Sequence, residues 1–280
     1  MSDNGMFAKL CARGSEFLNC RYPIICGAMT WVSEPQLVAA VCNNGGFGCL
    51  AGGNAPTAVL QEQIGQLRSL TANPFAVNLI TIAPAYKEHL AMIKDNPVEY
   101  IVFAGSFPKE KEVEAAKATG AKVMCFASTL SIAERMIKFG ADAIILEGSE
   151  AGGHIGHVSA MVLLQQVLFK VGDKIPVFVA GGIATGKMIA HVMMMGAASS
   201  PMHSVCTWNS FLSSLGMRLL KMPVSISRLS PLRVDAFCSS FTMRRSTMSL
   251  STREKRVFSN LRSSMLMRAT SNCPSIISTL

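Results

Sequence analysis

Ala143-Ile-Ile-Leu146 runs directly into Glu147-Gly-Ser-Glu-Ala-Gly-Gly-His154-Ile-Gly156, and this stretch decides the fold. A short apolar run, the pattern of a buried strand, enters a glycine-rich turn that carries one imidazole close to two carboxylates. Gly152 and Gly153 are expected to supply backbone geometry and close approach that a Cβ forbids. A lone histidine is more often structural than catalytic. On a glycine turn at the C-terminal end of a strand, however, it sits where α/β folds place their ligands. His154 is therefore the candidate catalytic residue.

Outward from this turn, short apolar runs alternate with helical patterns as far as residue 198. The expected strands are Tyr22–Cys26, Gly48–Leu50, Phe75–Leu79, Tyr100–Phe103, Lys122–Phe126, Ala143–Leu146 and Pro176–Ala180. The segments between them repeat apolar residues at three-and-four spacing. One helix is expected to begin at Ser33 as N-cap with Pro35 in its first turn, and to stop at Gly45-Gly46. Another begins at Thr129 or Ser131, turns Ile132, Met136 and Ile137 inward, and ends at Gly140. Strands alternating with helices imply parallel pairing, and near-continuous apolar strands imply burial on both faces. Seven such βα units predict a TIM-type (β/α)8 barrel lacking a recognisable eighth strand, with a doubly wound open sheet as the alternative.

Composition excludes several classes. No run of eighteen apolar residues occurs, so no membrane span is expected. The N-terminus lacks a basic segment followed by a long apolar one, so no signal peptide is expected. Nine cysteines without CxxC spacing fit a reduced, cytoplasmic chain. Cys26, Cys42, Cys49 and Cys125 lie in apolar runs and are expected to pack as small hydrophobes.

The net charge of +9 is not spread over the chain. Residues 1–198 hold 15 basic and 15 acidic residues, whereas 199–280 hold 11 basic and 2 acidic, which is the whole +9. Glycine falls from 21 to 1 across the same boundary and serine rises from 9 to 20. Two regions are therefore expected, a barrel over 1–198 and a divergent basic, Ser/Arg-rich tail over 199–280. The tail is too apolar for a solvated extension, with Phe211, Leu212, Leu215, Phe237, Phe241 and Phe258. Pro201 and its neighbouring serines are poor central-strand residues. A change of reading frame near residue 198 accounts for these shifts together. Ser200–Cys206, back-translated one nucleotide out, permits Val-Gln-Cys-Thr-Arg-Phe.

Six phrases in order carry a family resemblance: Tyr22-Pro-Ile-Ile-Cys-Gly-Ala-Met-Thr-Trp31, Gly45-Gly-Phe-Gly48, Gly52-Gly-Asn-Ala-Pro56, Pro74-Phe-Ala-Val-Asn78, Glu150-Ala-Gly-Gly-His-Ile-Gly156 and Ala180-Gly-Gly-Ile-Ala184. Residues 20–198 resemble the flavin-dependent enoyl-acyl-carrier-protein reductases of the FabK type, within the larger family of nitronate monooxygenases (2-nitropropane dioxygenases). The Gly-Gly-Asn-Ala-Pro phrase and the His-Ile-Gly ending lean toward the reductase. Two departures stand out: Gly27-Ala28-Met29 replaces the usual Gly-Gly-Met, and no Gly-Thr-Arg-like phrase follows Ala198.

The resemblance implies a barrel holding FMN, with NADH or NADPH as reductant in the reductase branch. It implies that Gly27, Ala28 and Met29 back the flavin ring and that Asn78 bonds its polar edge. Glu147, Gly152 and Gly153 would line the flavin, and Ala180, Gly181 and Gly182 would cradle its phosphate. His154 would be the catalytic imidazole. Backbone N–H groups over Ala180–Ile183, ahead of a helix, fit an anion on physical grounds. The expected partner is a small or acyl-carrier-protein-bound enoyl substrate, with a homodimer as the assembly to look for. The alternatives are oxidation of alkyl nitronates with O2 and an inactive remnant that neither closes its barrel nor holds flavin.

Other candidates carry less. His157 lies three residues past His154, but no third ligand shares that spacing, so no metal is expected. His89 and His191 are expected as surface or helix-face residues of amphipathic helices, and Met193–Met195 is expected to pack a helix against the sheet. The tail arginines lack a recognisable nucleic-acid module, so no nucleic-acid partner is expected.

Overall fold

A computed structural model describes residues 4–153, 155–198 and 201–202. Eight parallel strands form one sheet: β1 (Ile25–Cys26), β2 (Phe47–Ala51), β3 (Phe75–Ile80), β4 (Tyr100–Ala104), β5 (Lys122–Ala127), β6 (Ala143–Glu147), β7 (Val177–Ala180) and β8 (Pro201–Met202). Helix α1 (Asn4–Leu18) precedes β1. The crossovers are α2 (Pro35–Asn43), α3 (Thr57–Leu70), α4 (Tyr86–Asp95), α5 (Glu110–Lys117), α6 (Leu130–Lys138), α7 (Ala160–Val171) and α8 (Gly186–Met194). Strand order is β7-β6-β5-β4-β3-β2-β1-β8, so β1 to β7 follow one another in sequence order, β8 lies beside β1, and the C-terminal ends of these parallel strands fall on one rim.

This is an incomplete β/α barrel. The eighth strand, not expected from the sequence, is two residues long and pairs with β1 through Ile25–Pro201 and Cys26–Met202. Proline is tolerated there because it opens the strand, where its missing N–H is least felt. Ala198, three residues before β8, is tied to β7 by its N–H to Val177 O at 2.7 Å. The outer edge of β1 is therefore occupied. The remaining tail residues, 203–280, lie outside the described residues. No helix among the described residues is long and apolar enough to cross a membrane.

Strand alternation sorts the core into two shells. Ile24, Val77, Ile101, Val123, Ile144 and Val177 face the helices, in one cluster with Leu60, Ile64, Ile93 and Leu163. Ile25, Phe47, Cys49, Ala76, Tyr100, Val102, Met124, Ile145, Phe178 and Ala180 fill the barrel interior. Cys26, Cys42, Cys49 and Cys125 are all buried. Burial pushes the Cys26 thiol up to about 12, which keeps it a neutral small hydrophobe.

The N-terminal mouth is closed by α1, a helix the sequence reading passed over. The Phe17 carbonyl in its last turn accepts from Tyr100 Oη at 2.7 Å and Lys122 Nζ at 2.8 Å. The Phe17 ring lies 6.0 Å from Tyr100 and 5.9 Å from Phe178. A Cβ at Gly14 would lie 2.2 Å from Ala198 O, so only glycine lets α1 approach the seam this closely. With that mouth plugged, the C-terminal rim is where a ligand can enter.

Candidate functional site at the C-terminal rim

Inward positions alternate along each strand, and the last inward residues form the floor of the rim. By register Ala51 of β2 lies opposite Asn78 of β3, and Glu147 of β6 lies opposite Ala180 of β7. Ala104 ends β4 at an inward position, and Ala28, just past β1, packs on the same inner cluster. Four alanines, with Ile80 and Phe126 at the inward ends of β3 and β5, leave an apolar floor, and Asn78 and Glu147 are polar groups that share it. Asn78 is buried and donates from Nδ2 to Val102 O at 3.3 Å. Its Oδ1 is not consumed by that bond, so it can still accept.

Glu147 is half-buried at the end of β6, and burial raises its carboxyl from the ordinary 4.5 to about 7. A raised carboxyl pKa favours the folded state fully below about 4.5, and that contribution fades as pH rises through about 7. The thermal midpoint is therefore expected to fall between pH 5 and 8, and Glu147→Gln is expected to flatten the fall. The effect is on the order of 2–3 kcal/mol after allowing for partial exposure. Parallel pH profiles for the two proteins would contradict this assignment.

The excursion between β6 and α7 closes on itself. Ser149 N–H donates to Val158 O at 2.9 Å and Gly156 N–H to Gly148 O at 3.3 Å. Glu150 Oε2 accepts from Ala160 N at 2.8 Å, satisfying a free donor at the start of α7. The glycines that packing demands are not those expected. A Cβ at Gly148 would lie 2.5 Å from Ala160 N, and one at Gly156 would lie 2.3 Å from Glu147 O. Gly152 and Gly153 instead face open space, and only Gly153, at φ +90°, needs glycine for its backbone. They form the exposed tip, next to exposed Ile155. His154 itself lies outside the described residues.

The turn after β7 docks on that loop. Gly181 and Gly182 have φ of +109° and +69°. A Cβ on Gly181 would lie 2.6 Å from Ala151 N, and one on Gly182 would lie 3.0 Å from Glu150 Cβ. These glycines thus serve loop packing as well as the turn that leads to α8. Thr185 caps α8 by accepting from Met188 N–H at 3.3 Å, and the helix dipole adds positive potential at this end.

On the β1 side, Gly27 is buried and Met29 packs on the outer core. Ser33 was expected to cap α2, but Glu34 occupies the cap position. Ser33 is buried instead and fixes the turn, donating to Gly27 O at 2.8 Å and accepting from Met29 N at 3.0 Å. Trp31 follows at φ +65°, exposed on the same rim. His89, expected as a surface or helix-face residue, is fully buried on α4.

The structure thus brings Asn78, Glu147 and Ala180 onto one floor, with Gly27–Met29 and Gly181-Gly182 on the same rim. These features fit FMN in kind: a flat apolar floor for a planar ring, a buried amide for its polar edge, and a glycine turn before a helix for its phosphate.

Comparison with known proteins agrees with this architecture. The family model described as nitronate monooxygenase matches residues 12–89 and 80–205, reaching seven residues beyond the compositional boundary. A curated relative from Rhodococcus jostii, a (3aS,4S,5R,7aS)-5-hydroxy-7a-methyl-1-oxo-octahydro-1H-indene-4-carboxyl-CoA dehydrogenase, is 34% identical over 188 residues, covering 67% of this chain and 52% of its own. A probable nitronate monooxygenase of Staphylococcus aureus (strain Newman) is 30% identical over 230 residues, covering 66% of this chain and 64% of its own. Among solved structures, FabK from Thermotoga maritima superposes with a TM-score of 0.65 at 36% identity, over 68% of this chain and 60% of that one. The chain spans about half the length of the first of these relatives. With the family model matched along most of the barrel and the rim built as described, the chain belongs to the nitronate monooxygenase family.

Proposed function

We propose that the rim binds FMN and that the protein reduces the carbon–carbon double bond of enoyl thioesters with NADH or NADPH. The observation that carries this is the convergence of Asn78, Glu147, the alanine floor and the Gly181-Gly182 turn on a single rim. The Gly52–Pro56 and His154–Gly156 phrases favour the reductase branch, and the relative from Rhodococcus jostii is named for a CoA thioester. Bound flavin would supply hydride transfer. The chain's own residues then bind and orient. Asn78 Oδ1 accepts from a ring N–H, and Glu147, neutral below about pH 7, donates to a ring acceptor or closes the floor. The Gly181-Gly182 turn and the start of α8 hold the phosphate. His154 supplies or orients the proton that the substrate's α-carbon takes up.

A second reading, oxidation of alkyl nitronates with O2, is favoured by the family model and by the Staphylococcus aureus relative. There the same histidine would remove a proton. NADH consumption with a crotonyl thioester, set against oxygen uptake with an alkyl nitronate, separates the two. Thioester-dependent NADH oxidation supports the reductase; nitronate-dependent oxygen uptake alone replaces it. The proposed setting is cytoplasmic, with an acyl-carrier-protein-bound or small enoyl substrate and a homodimeric assembly. The barrel is assigned to residues 1–198 and the short β8, and the basic remainder to an out-of-frame continuation.

A further inference from the structure

We infer that His89 is a positioning residue that clamps the Gly52–Pro56 loop onto the rim. This rests on the reading of the rim as a flavin site. His89 is fully buried on α4, and its Nε2 lies 2.9 Å from Ala55 O. A carbonyl only accepts, so Nε2 carries the hydrogen and, in the neutral ring, Nδ1 is left as a bare acceptor. Nδ1 is buried without a hydrogen-bond partner among the described residues. A buried unpaired acceptor costs more than one neutral hydrogen bond returns, and leucine would fill this helix face without that cost. Stability alone therefore does not account for the imidazole; the place where it holds Ala55 does.

That place bears on the site. Gly52 N–H donates to Asn78 O at 3.1 Å, and a Cβ at Gly52 would lie 2.5 Å from the same oxygen. A Cβ at Gly53 would lie 2.7 Å from Ile80 Cγ1. The loop thus lies directly on the end of β3, where Asn78 faces the floor. The neighbouring α4 residue grips the far side of Pro56: Thr57 Oγ1 donates to Glu88 Oε2 at 3.0 Å. Two successive α4 residues therefore hold the loop at both flanks of Pro56. Loosening them lets Gly52 lift from Asn78 and shifts the amide relative to Glu147.

The test compares His89→Leu, His89→Gln and Thr57→Val in the full chain. Glutamine can place an amide N–H near the position of Nε2, whereas leucine keeps the bulk and loses the donor. Hydrogen exchange at residues 52–55 is expected to quicken about five- to tenfold in His89→Leu, the size of one hydrogen bond, with β5 unchanged. FMN affinity is expected to weaken by a similar factor of about five to ten. Glutamine restores both, and Thr57→Val loosens the loop more mildly. Unchanged exchange at 52–55, or a glutamine variant indistinguishable from leucine, overturns the clamp. Unaltered FMN affinity in a His89→Leu protein whose loop has loosened also overturns it. Absence of FMN binding by the frame-restored chain counts against the flavin reading alone, and the exchange measurement still decides the clamp.

Discussion

Replacing His154 with alanine is expected to lower turnover by about 10²–10⁴-fold while leaving flavin in place, the range of a positioned acid or base. The expectation follows from how its loop is built. Both ends of the β6–α7 excursion are fastened, by Ser149 to Val158 and Gly156 to Gly148, and Glu150 is tied to the start of α7. The neighbours Gly153 and Ile155 are exposed, so the tip is held at its base and open at its end. The groups proposed to bind flavin stand on β3, β6 and β7 and on the turns after β1 and β7, and do not depend on the imidazole. Turnover and flavin occupancy should therefore separate. Activity within about a few-fold of the unmodified chain, far below that range, would make His154 structural.

The second large effect is expected at the tail. Charge, glycine and serine all change character at residue 198. Pro201 and Met202 contribute two residues to the sheet, paired with β1. The Gly-Thr-Arg-like phrase that the family resemblance leads one to look for after Ala198 has no match in Ser200–Cys206 in the present frame. Translating the gene one nucleotide out from near codon 198 is expected to turn a poorly soluble chain with little flavin into a soluble yellow protein. Resequencing across the junction checks the premise. A confirmed continuous frame, with a soluble flavin-bound product of 280 residues, contradicts it.

The barrel was legible because its strands are apolar on both faces and its helices are not. Six of the seven expected strands differ from those observed by at most one residue at each end; β1 is shorter, because Tyr22 and Ile24 make isolated hydrogen bonds, to Gly45 O and from Phe47 N–H, before the regular pairing begins at Ile25. Features fixed by tertiary contact were not legible. Ser33 has the residue type and spacing of an N-cap, yet its hydroxyl is taken by Gly27 and Met29. His89 reads as one polar residue on an amphipathic helix, since nothing local reveals that Ala55 will meet it. Gly148 and Gly156 carry the packing that the sequence suggested for Gly152 and Gly153, because the base of the loop is pressed against the start of α7 at Gly148 and against the end of β6 at Gly156, while the tip is open. Helix α1 did leave a signal: Leu10, Cys11, Gly14, Phe17 and Leu18 repeat at helical spacing. Its role as a plug appears only once Tyr100 and Lys122 reach the Phe17 carbonyl.

The claim that the rim holds FMN through the Gly181-Gly182 turn is tested most directly by equilibrium titration. FMN is titrated into the chain as it stands and into its frame-restored form, each with Gly182→Ala and Gly182→Asp variants. Both variants strain a backbone at φ +69° and press on Glu150, but only aspartate adds negative charge where the phosphate should lie. The account predicts one FMN per frame-restored chain, weaker binding by the present chain, and a loss of about 100-fold or more in Gly182→Asp beyond that in Gly182→Ala, as fits an unscreened charge at an anion site. Equal affinity in the aspartate and alanine variants, or no saturable binding in the frame-restored chain, would contradict it.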